Sequence, residues 1–328
     1  MTIPDYAGRL SRLRQAFQEK NLDGVIVNSI KDVYYYTGKE ISKEFGFLVV
    51  TMKSSTLFVS FLNISLEGPG VRVVSSLNEV RKELSSLKRV GFDEKNMSVL
   101  LFKKLKSGSW TPFSGILKSL RMVKDSYEIS QIRLACRNTL RILGSLNIRG
   151  STEFDVATDI LMKTRSMGDT PAFDSLVLGG RNSAFIHKPP SKSMISRGLV
   201  IVDMGVCHNK YNSDITRTFS IDTTPAESRI LSQCSDIQNE LIELAVPGTL
   251  FSDIQKRFES LMKSMGHHVL YSFGHGVGLS VHERPFSKDV LEKGMVLTVE
   301  PGIHKKGMGG CRIEDMVLVG DKPVLLSR

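Results

Sequence analysis

The chain of 328 residues is 41% hydrophobic and 24% charged, the makeup of a globular protein, and its length makes two domains the default. The opening Met1-Thr-Ile-Pro-Asp-Tyr-Ala-Gly-Arg9 lacks the apolar core of a secretory leader, and no apolar run approaches the roughly 20 residues that cross a bilayer, so a cytoplasmic protein with no membrane association is expected. The net charge of +10 falls mainly on the first 118 residues (18 basic against 11 acidic), but the basic residues are scattered without an aromatic platform, which argues against a nucleic-acid partner.

Cys136, Cys207, Cys234 and Cys311 form no CxxC pair, which suits a reducing compartment and offers no disulfide framework. Residues 5–20 place Leu10, Leu13 and Phe17 on one helical face, and Asn21-Leu-Asp-Gly24 ends that helix. Val25-Ile-Val, Phe47-Leu-Val-Val, Thr56-Leu-Phe-Val and Val71-Arg-Val-Val predict short strands. Helix alternating with strand indicates a small α/β domain over residues 1–118, with Thr111-Pro-Phe-Ser-Gly115 as its exit turn and no catalytic cluster.

Residues 119–328 form the second predicted domain. Asp125-Ser-Tyr-Glu128 is a capping-box start to a helix reaching about Leu143. Gly150-Ser-Thr-Glu-Phe-Asp155 then leads through an amphipathic helix to Gly168, and Gly248-Thr-Leu-Phe-Ser-Asp253 leads through another to Gly266. Gly to Asp is five residues and Gly to Gly eighteen in both units, and a long helical pattern (126–143, 226–245) precedes each. This is an internal duplication, and it implies an α+β domain with pseudo-two-fold symmetry and a site at the seam.

Acids recur at the ends of predicted strands. Leu199-Val-Ile-Val-Asp203 is a buried strand that ends on an acid, and a turn through Gly205 and residues 208–213 returns the chain at Asp214-Ile-Thr-Arg-Thr-Phe219. Val296-Leu-Thr-Val-Glu300 is stopped by Pro301-Gly302. Residues 311–319 read as one strand, with Arg312 and Glu314 on one face and Asp315 on the other. Between these segments lies Ser272-Phe-Gly-His275-Gly-Val-Gly-Leu-Ser-Val-His282-Glu-Arg-Pro285, whose glycines permit close backbone approach. His267 and His268 read as surface residues at a helix end, and Cys311 as a small core residue.

Four carboxylates that converge without a counter-charge cannot all ionise. Two divalent cations would offset the charge. An oxygen-rich set with one imidazole suits Mn2+, with Co2+, Fe2+ or Zn2+ as further candidates.

Together DMG…SDITRTF, GHGVGLSVHE, TVEPG and GCRIED resemble the pita-bread metallopeptidases, in the Xaa-Pro dipeptidase (prolidase) and aminopeptidase P branch. The likeness spans residues 121–328, and Arg9-Leu-Ser-Arg-Leu-Arg, Leu22-Asp-Gly-Val-Ile-Val and Tyr36-Thr-Gly38 are similar to the creatinase/prolidase-type N-terminal domain. The resemblance implies Asp203 as ligand of one ion, His275 and Glu300 as ligands of the other, and Asp214 and Glu314 as bridges. It makes Glu300 also the general base toward the metal-bridging water, and His282 the partner of the scissile carbonyl oxygen or tetrahedral intermediate. His187 matches a substrate-binding histidine, and Arg312 fixes the acids or meets a substrate carboxylate. A homodimer is implied as well.

Two positions depart from the pattern. His304 stands where many relatives carry a tyrosine after the EPG turn, and Phe286 where some dipeptidases carry an arginine toward the substrate carboxylate, with Arg284 nearby. The expected activity is hydrolysis of the Xaa-Pro bond of Xaa-Pro dipeptides. Aminopeptidase P activity on longer Xaa-Pro-Yaa peptides is the alternative, and a catalytically silent binding protein on this scaffold is the rival from another class.

Overall fold

Two compact units, Ile3–Arg121 and Met122–Arg328, divide the chain in the computed structural model, which describes residues 3–41, 46–66 and 68–328. In the first unit Asp5 accepts from the Gly8 amide at the start of helix α1 (Tyr6–Glu19), and Asn21, with φ 57°, turns the chain out of it. The face that α1 buries is Arg9, Leu13 and Phe17, not the expected Leu10, Leu13 and Phe17. Arg9 lies on the same stripe, one and two turns before the others. It is stable inside because its guanidinium donates to the Tyr35 carbonyl (2.8 Å) and lies 4.3 Å from the Tyr35 ring centre.

The unit continues through β1 (Gly24–Val27), α2 (Ile30–Thr37), β2 (Gly46–Thr51), β3 (Ser55–Val59), β4 (Val71–Val73), α3 (Leu77–Leu84), β5 (Arg89–Phe92), α4 (Val99–Leu105), β6 (Ser109–Pro112) and α5 (Ser114–Leu120). Its strands make one sheet in the order β4-β3-β2-β1-β5-β6. Thr111 and Pro112 are not an exit turn: they close β6 against β5, and Ser114 opens α5. The Glu94 carboxylate accepts from the Phe113 and Ser114 amides (3.1 and 3.0 Å), which supplies the helix start that the local sequence does not announce.

The second unit runs through α6 (Ser126–Leu143), α7 (Glu153–Ser166), β7 (Thr170–Pro171), β8 (Leu176–Gly179), β9 (Gly198–Met204), β10 (Val206–His208), β11 (Tyr211–Asn212), β12 (Ile215–Ile221), α8 (Pro225–Glu243), α9 (Phe251–Ser264), β13 (Val296–Val299), β14 (Gly302–Lys305), β15 (Gly309–Arg312), β16 (Asp315–Leu318) and β17 (Val324–Leu325). The capping box at α6 is present in full, with Asp125 accepting from the Glu128 amide (2.9 Å) and Glu128 from the Asp125 amide (3.1 Å). None of the helices among the described residues is long and apolar enough to cross a membrane.

The duplication is written into the backbone. Gly150 and Gly248 donate to the Ile195 and Leu291 carbonyls (2.9 and 2.8 Å), and those residues donate back to Ser151 and Thr249 (2.9 and 2.8 Å). Gly150, Gly168, Gly248 and Gly266 all take left-handed φ values, from 75° to 90°. Each half then feeds a strand that ends near an acid: β9 carries Asp203, and β13 is followed by Glu300. Behind these strands Ile237 and Leu241 of α8 and Ile254 and Phe258 of α9 share one core with Leu297, Val299 and Val317. Each such side chain contributes about 1.5–3 kcal/mol by leaving water.

Residues 311–319 are not a single strand. The ladder breaks at Ile313 and Glu314, because β15 pairs with β14 whereas β16 pairs with β13 and β17, and the Glu314 amide turns to the Thr216 carbonyl (3.1 Å). His267 is buried, not superficial, with Nε2 3.0 Å from the Gln233 side chain. Cys311 is fully buried in the core.

Candidate active site

Antiparallel pairing sets Asp203 of β9 opposite Thr216 of β12. Left-handed residues Asn209 and Lys210 reverse the chain between β10 and β11, and Asp214 follows just before β12. The glycine-rich segment lies tightly on β13: a Cβ at Gly274 would stand 2.0 Å from the Thr298 carbonyl oxygen. This contact lets the His275 amide donate to Thr298 Oγ1 (3.0 Å). His275 Nδ1 is 3.2 Å from the Gly276 carbonyl, so Nδ1 carries the hydrogen and Nε2 presents its lone pair. Nε2 is 3.3 Å from Glu300 Oε1 and 3.6 Å from Asp214 Oδ2. One ligand atom each from Asp214, His275 and Glu314 lie within 4.8 Å of one another, and Asp203 and Glu300 border the same cavity.

Burial dominates the electrostatics. It pushes Glu300 up to about 7 despite the pull of Arg312. Asp214 and Glu314 are raised well above the usual carboxylate range, by burial first, then Asp214 by the charges of Glu314, Asp203 and Glu300, and Glu314 by those of Glu300 and Asp203. Asp203 is raised too, burial outweighing its bond to Arg312. His275 is lowered to about 4 by burial and the adjacent His282, which keeps the imidazole neutral.

A single guanidinium threads the acids. Arg312 donates to Asp203 Oδ2 (2.5 Å) and to Thr216 Oγ1 (3.2 Å), and Thr216 donates to Glu314 Oε2 (2.7 Å). Asp203 Oδ1, by contrast, is buried without any hydrogen-bond partner. An orphaned carboxylate oxygen costs about 1–3 kcal/mol or more, and one arginine does not balance four acids. A neutral Nε2 lone pair, an unpartnered oxygen and three further carboxylates form a donor set that divalent cations satisfy. The residues fit a metal centre.

His187 and His282 both reach the cavity and are exposed; the His282 ring centre is 4.2 Å from that of His275. Arg284 is not turned to the cavity but bonds Asp289 through Nε (3.0 Å) and a terminal nitrogen. Asp315 lies on the opposite side from the acids, bonded to Arg217 (2.8 Å) and Arg328 (3.0 Å).

Sequence reasoning did not single out Thr216, Thr298, Tyr271 or Glu153. Glu153 is fully buried and accepts from the Gly179 amide (2.8 Å), Asn182 (2.9 Å), the Ser191 amide (3.0 Å) and the Ser191 hydroxyl (2.5 Å). It clasps the segment that carries His187 from both sides. Its only signal in the sequence is an acid at the first position of a helix, which ordinarily means a favourable dipole contact.

Residues 130–321 match the model of metallopeptidase family M24, and residues 9–123 that of the creatinase/prolidase N-terminal domain. The chain belongs to metallopeptidase family M24. It is thus an enzyme of the metallopeptidase class with a pita-bread catalytic domain, and family membership implies divalent metal ions. An Xaa-Pro dipeptidase of Pyrococcus furiosus is 31% identical, over 95% of this chain and 94% of its own length. The crystal structure of a prolidase from Pyrococcus horikoshii aligns with a TM-score of 0.90 at 28% identity, covering 98% of both chains. That of an X-Pro aminopeptidase from Thermotoga maritima aligns at 0.87 with 26% identity over 97% of both chains.

Proposed function

We propose that this M24 protein hydrolyses the bond between an N-terminal residue and a following proline, with Asp203, Asp214, His275, Glu300 and Glu314 holding two divalent ions. The observation that carries the reading is the neutral His275 Nε2 among buried acids, one of which has an orphaned oxygen. Full-length likeness to an Xaa-Pro dipeptidase supports the bond specificity. The ions, when bound, supply Lewis acidity and a hydroxide at near-neutral pH, and the oxygen-rich set favours Mn2+.

Glu300, which burial pushes up to about 7, takes a proton from the attacking water and returns it to the departing proline nitrogen. His282, beside His275, serves the scissile carbonyl oxygen, and His187 serves substrate binding. Arg312 fixes the acids, since its donors are engaged with Asp203 and Thr216. An Xaa-Pro amide has no N–H, so a site that works from the carbonyl side loses nothing at proline. The homodimer rests on the family resemblance alone, and the cytoplasmic location on the four scattered cysteines, which suit a reducing compartment.

Xaa-Pro dipeptides are the first substrate class, from the relatives. Longer Xaa-Pro-Yaa peptides are favoured by one observation. The cavity, of about 1430 Å³, has no lysine among its described lining, its one arginine is held by Asp203, and Phe286 stands on its wall. A dipeptide carboxylate finds no free guanidinium there.

The test is cleavage by the metal-stripped protein given Mn2+ or Co2+, on Xaa-Pro dipeptides paired with Xaa-Pro-Yaa tripeptides. Release from dipeptides alone supports the prolidase reading, and preference for tripeptides supports the aminopeptidase one. No cleavage with either ion would overturn both and favour a silent scaffold.

A further inference from the structure

We propose that Tyr271 is a substrate-facing residue of this site, aimed by His304. The inference rests on the site reading above and adds a residue to it. Tyr271 borders the same cavity as His275, Glu300 and Arg312 but comes from the segment before the glycine-rich turn, whereas His304 belongs to β14.

The hydrogen bonds define which atom is available. His304 Nδ1 is 3.0 Å from the Ser183 carbonyl, so Nδ1 carries the hydrogen and Nε2 is an acceptor. The Tyr271 hydroxyl is 3.4 Å from that Nε2, beyond the usual optimum, so the phenol is directed by the imidazole without being tied to it. The Arg312 guanidinium lies 5.9 Å from the Tyr271 ring centre, with its own donors engaged by Asp203, Thr216 and the Ile186 carbonyl. Facing an acceptor, the phenol is the donor, and its proton is available to give. When substrate enters, that proton moves from its long contact with His304 to the carbonyl oxygen of the bond being cleaved, where negative charge develops.

Gly302 makes room for this meeting. A Cβ there would stand 1.9 Å from the Tyr271 hydroxyl and 2.9 Å from His304 Nε2, so the glycine of the EPG turn is a notch in which phenol and imidazole meet. Burial raises the Tyr271 phenol and lowers His304 to about 4, so both stay neutral and the direction of the hydrogen bond does not change across ordinary pH. His304 touches the chemistry only through Tyr271, which makes it a positioning residue.

The test uses full-length, Mn2+-loaded Tyr271→Phe, His304→Ala and the double variant. It measures kcat and KM on an Xaa-Pro-Yaa peptide, metal content, and calorimetric binding of a phosphinate analogue of the Xaa-Pro bond. Loss of one oxyanion-type donor predicts a fall in kcat of about 100-fold for Tyr271→Phe, with KM and metal content unchanged, and a comparable weakening of phosphinate binding. His304→Ala gives a smaller loss, and the double variant is no worse than Tyr271→Phe. Phosphinate binding by Tyr271→Phe within threefold of the parent, or loss of metal from that variant, overturns the proposal. If phosphinate binding depends on Tyr271 while no Xaa-Pro peptide is cleaved, the Tyr271 assignment stands and the proline reading falls.

Discussion

Titration of the metal-free protein with Mn2+ at pH 6 and at pH 8 distinguishes a built metal centre from a chance gathering of acids. Carboxylate ligands bind as anions, so a proton resident on one must leave when the ion arrives. Glu300 is pushed up to about 7, and at pH 6 about nine-tenths of it is protonated. Displacing that proton costs about 1.4 kcal/mol for each pH unit below 7, or about tenfold in affinity at pH 6. Asp214 and Glu314 are raised in the same direction, so tenfold is a lower bound. His275, lowered to about 4, is neutral at both pH values and adds nothing.

The sign follows from linkage. Metal affinity declines as pH drops through the Glu300 value, and the raised Asp214 and Glu314 act in the same direction. In the metal-free protein the same raised value costs stability as pH rises from the ordinary carboxylate range toward 7, because the unfolded chain gives up its proton first. Calorimetry at each pH in two buffers of different ionisation enthalpy counts the protons. About one or more should be released at pH 6, with the affinity at least tenfold below that at pH 8. Equal affinities and fewer than half a proton released at pH 6 would refute the burial argument.

Three further substitutions probe the framework. Glu153→Gln turns an amide NH2 toward two of the four donors it now accepts from, which should lower unfolding free energy by about 3 kcal/mol and raise KM through the loosened His187 segment; denaturant unfolding and steady-state kinetics check both. Asp125→Ala removes half of the α6 capping box and should cost about 1 kcal/mol in the same unfolding assay, with kcat/KM unchanged. Phe286→Arg places a guanidinium on the cavity wall and should raise the dipeptide-to-tripeptide ratio of kcat/KM by about tenfold. An unchanged ratio would count against the missing carboxylate partner as the reason for selecting longer peptides.

Helices with strong local signals were readable residue by residue. The capping box at Asp125 and the paired glycines around α7 and α9 act within a few residues of chain, so periodicity and caps suffice to find them. β5 and β6 carried no such signal, because Arg89-Val-Gly-Phe and Ser109-Trp-Thr-Pro are only 4 residues each and contain a glycine or a proline. Arg9 misled the helical-face reading for a related reason. An arginine counts as polar until Tyr35, twenty-six residues away, supplies both a carbonyl and a ring for it.

At the site the division is sharper. Sequence alone determined the acids at strand ends, the histidine among glycines and the duplication that faces one half with the other, since each is a matter of spacing along the chain. Only the tertiary structure decided what those groups are bound to. Thr216 and Glu314 meet across 98 positions and Arg312 and Asp203 across 109, while Arg284 turns away to Asp289 five residues on. Protonation and orientation depend on burial and on partners brought from distant strands. The neutral His275, the raised Glu300, the orphaned Asp203 oxygen and the Tyr271–His304 contact therefore exist only once the chain has folded.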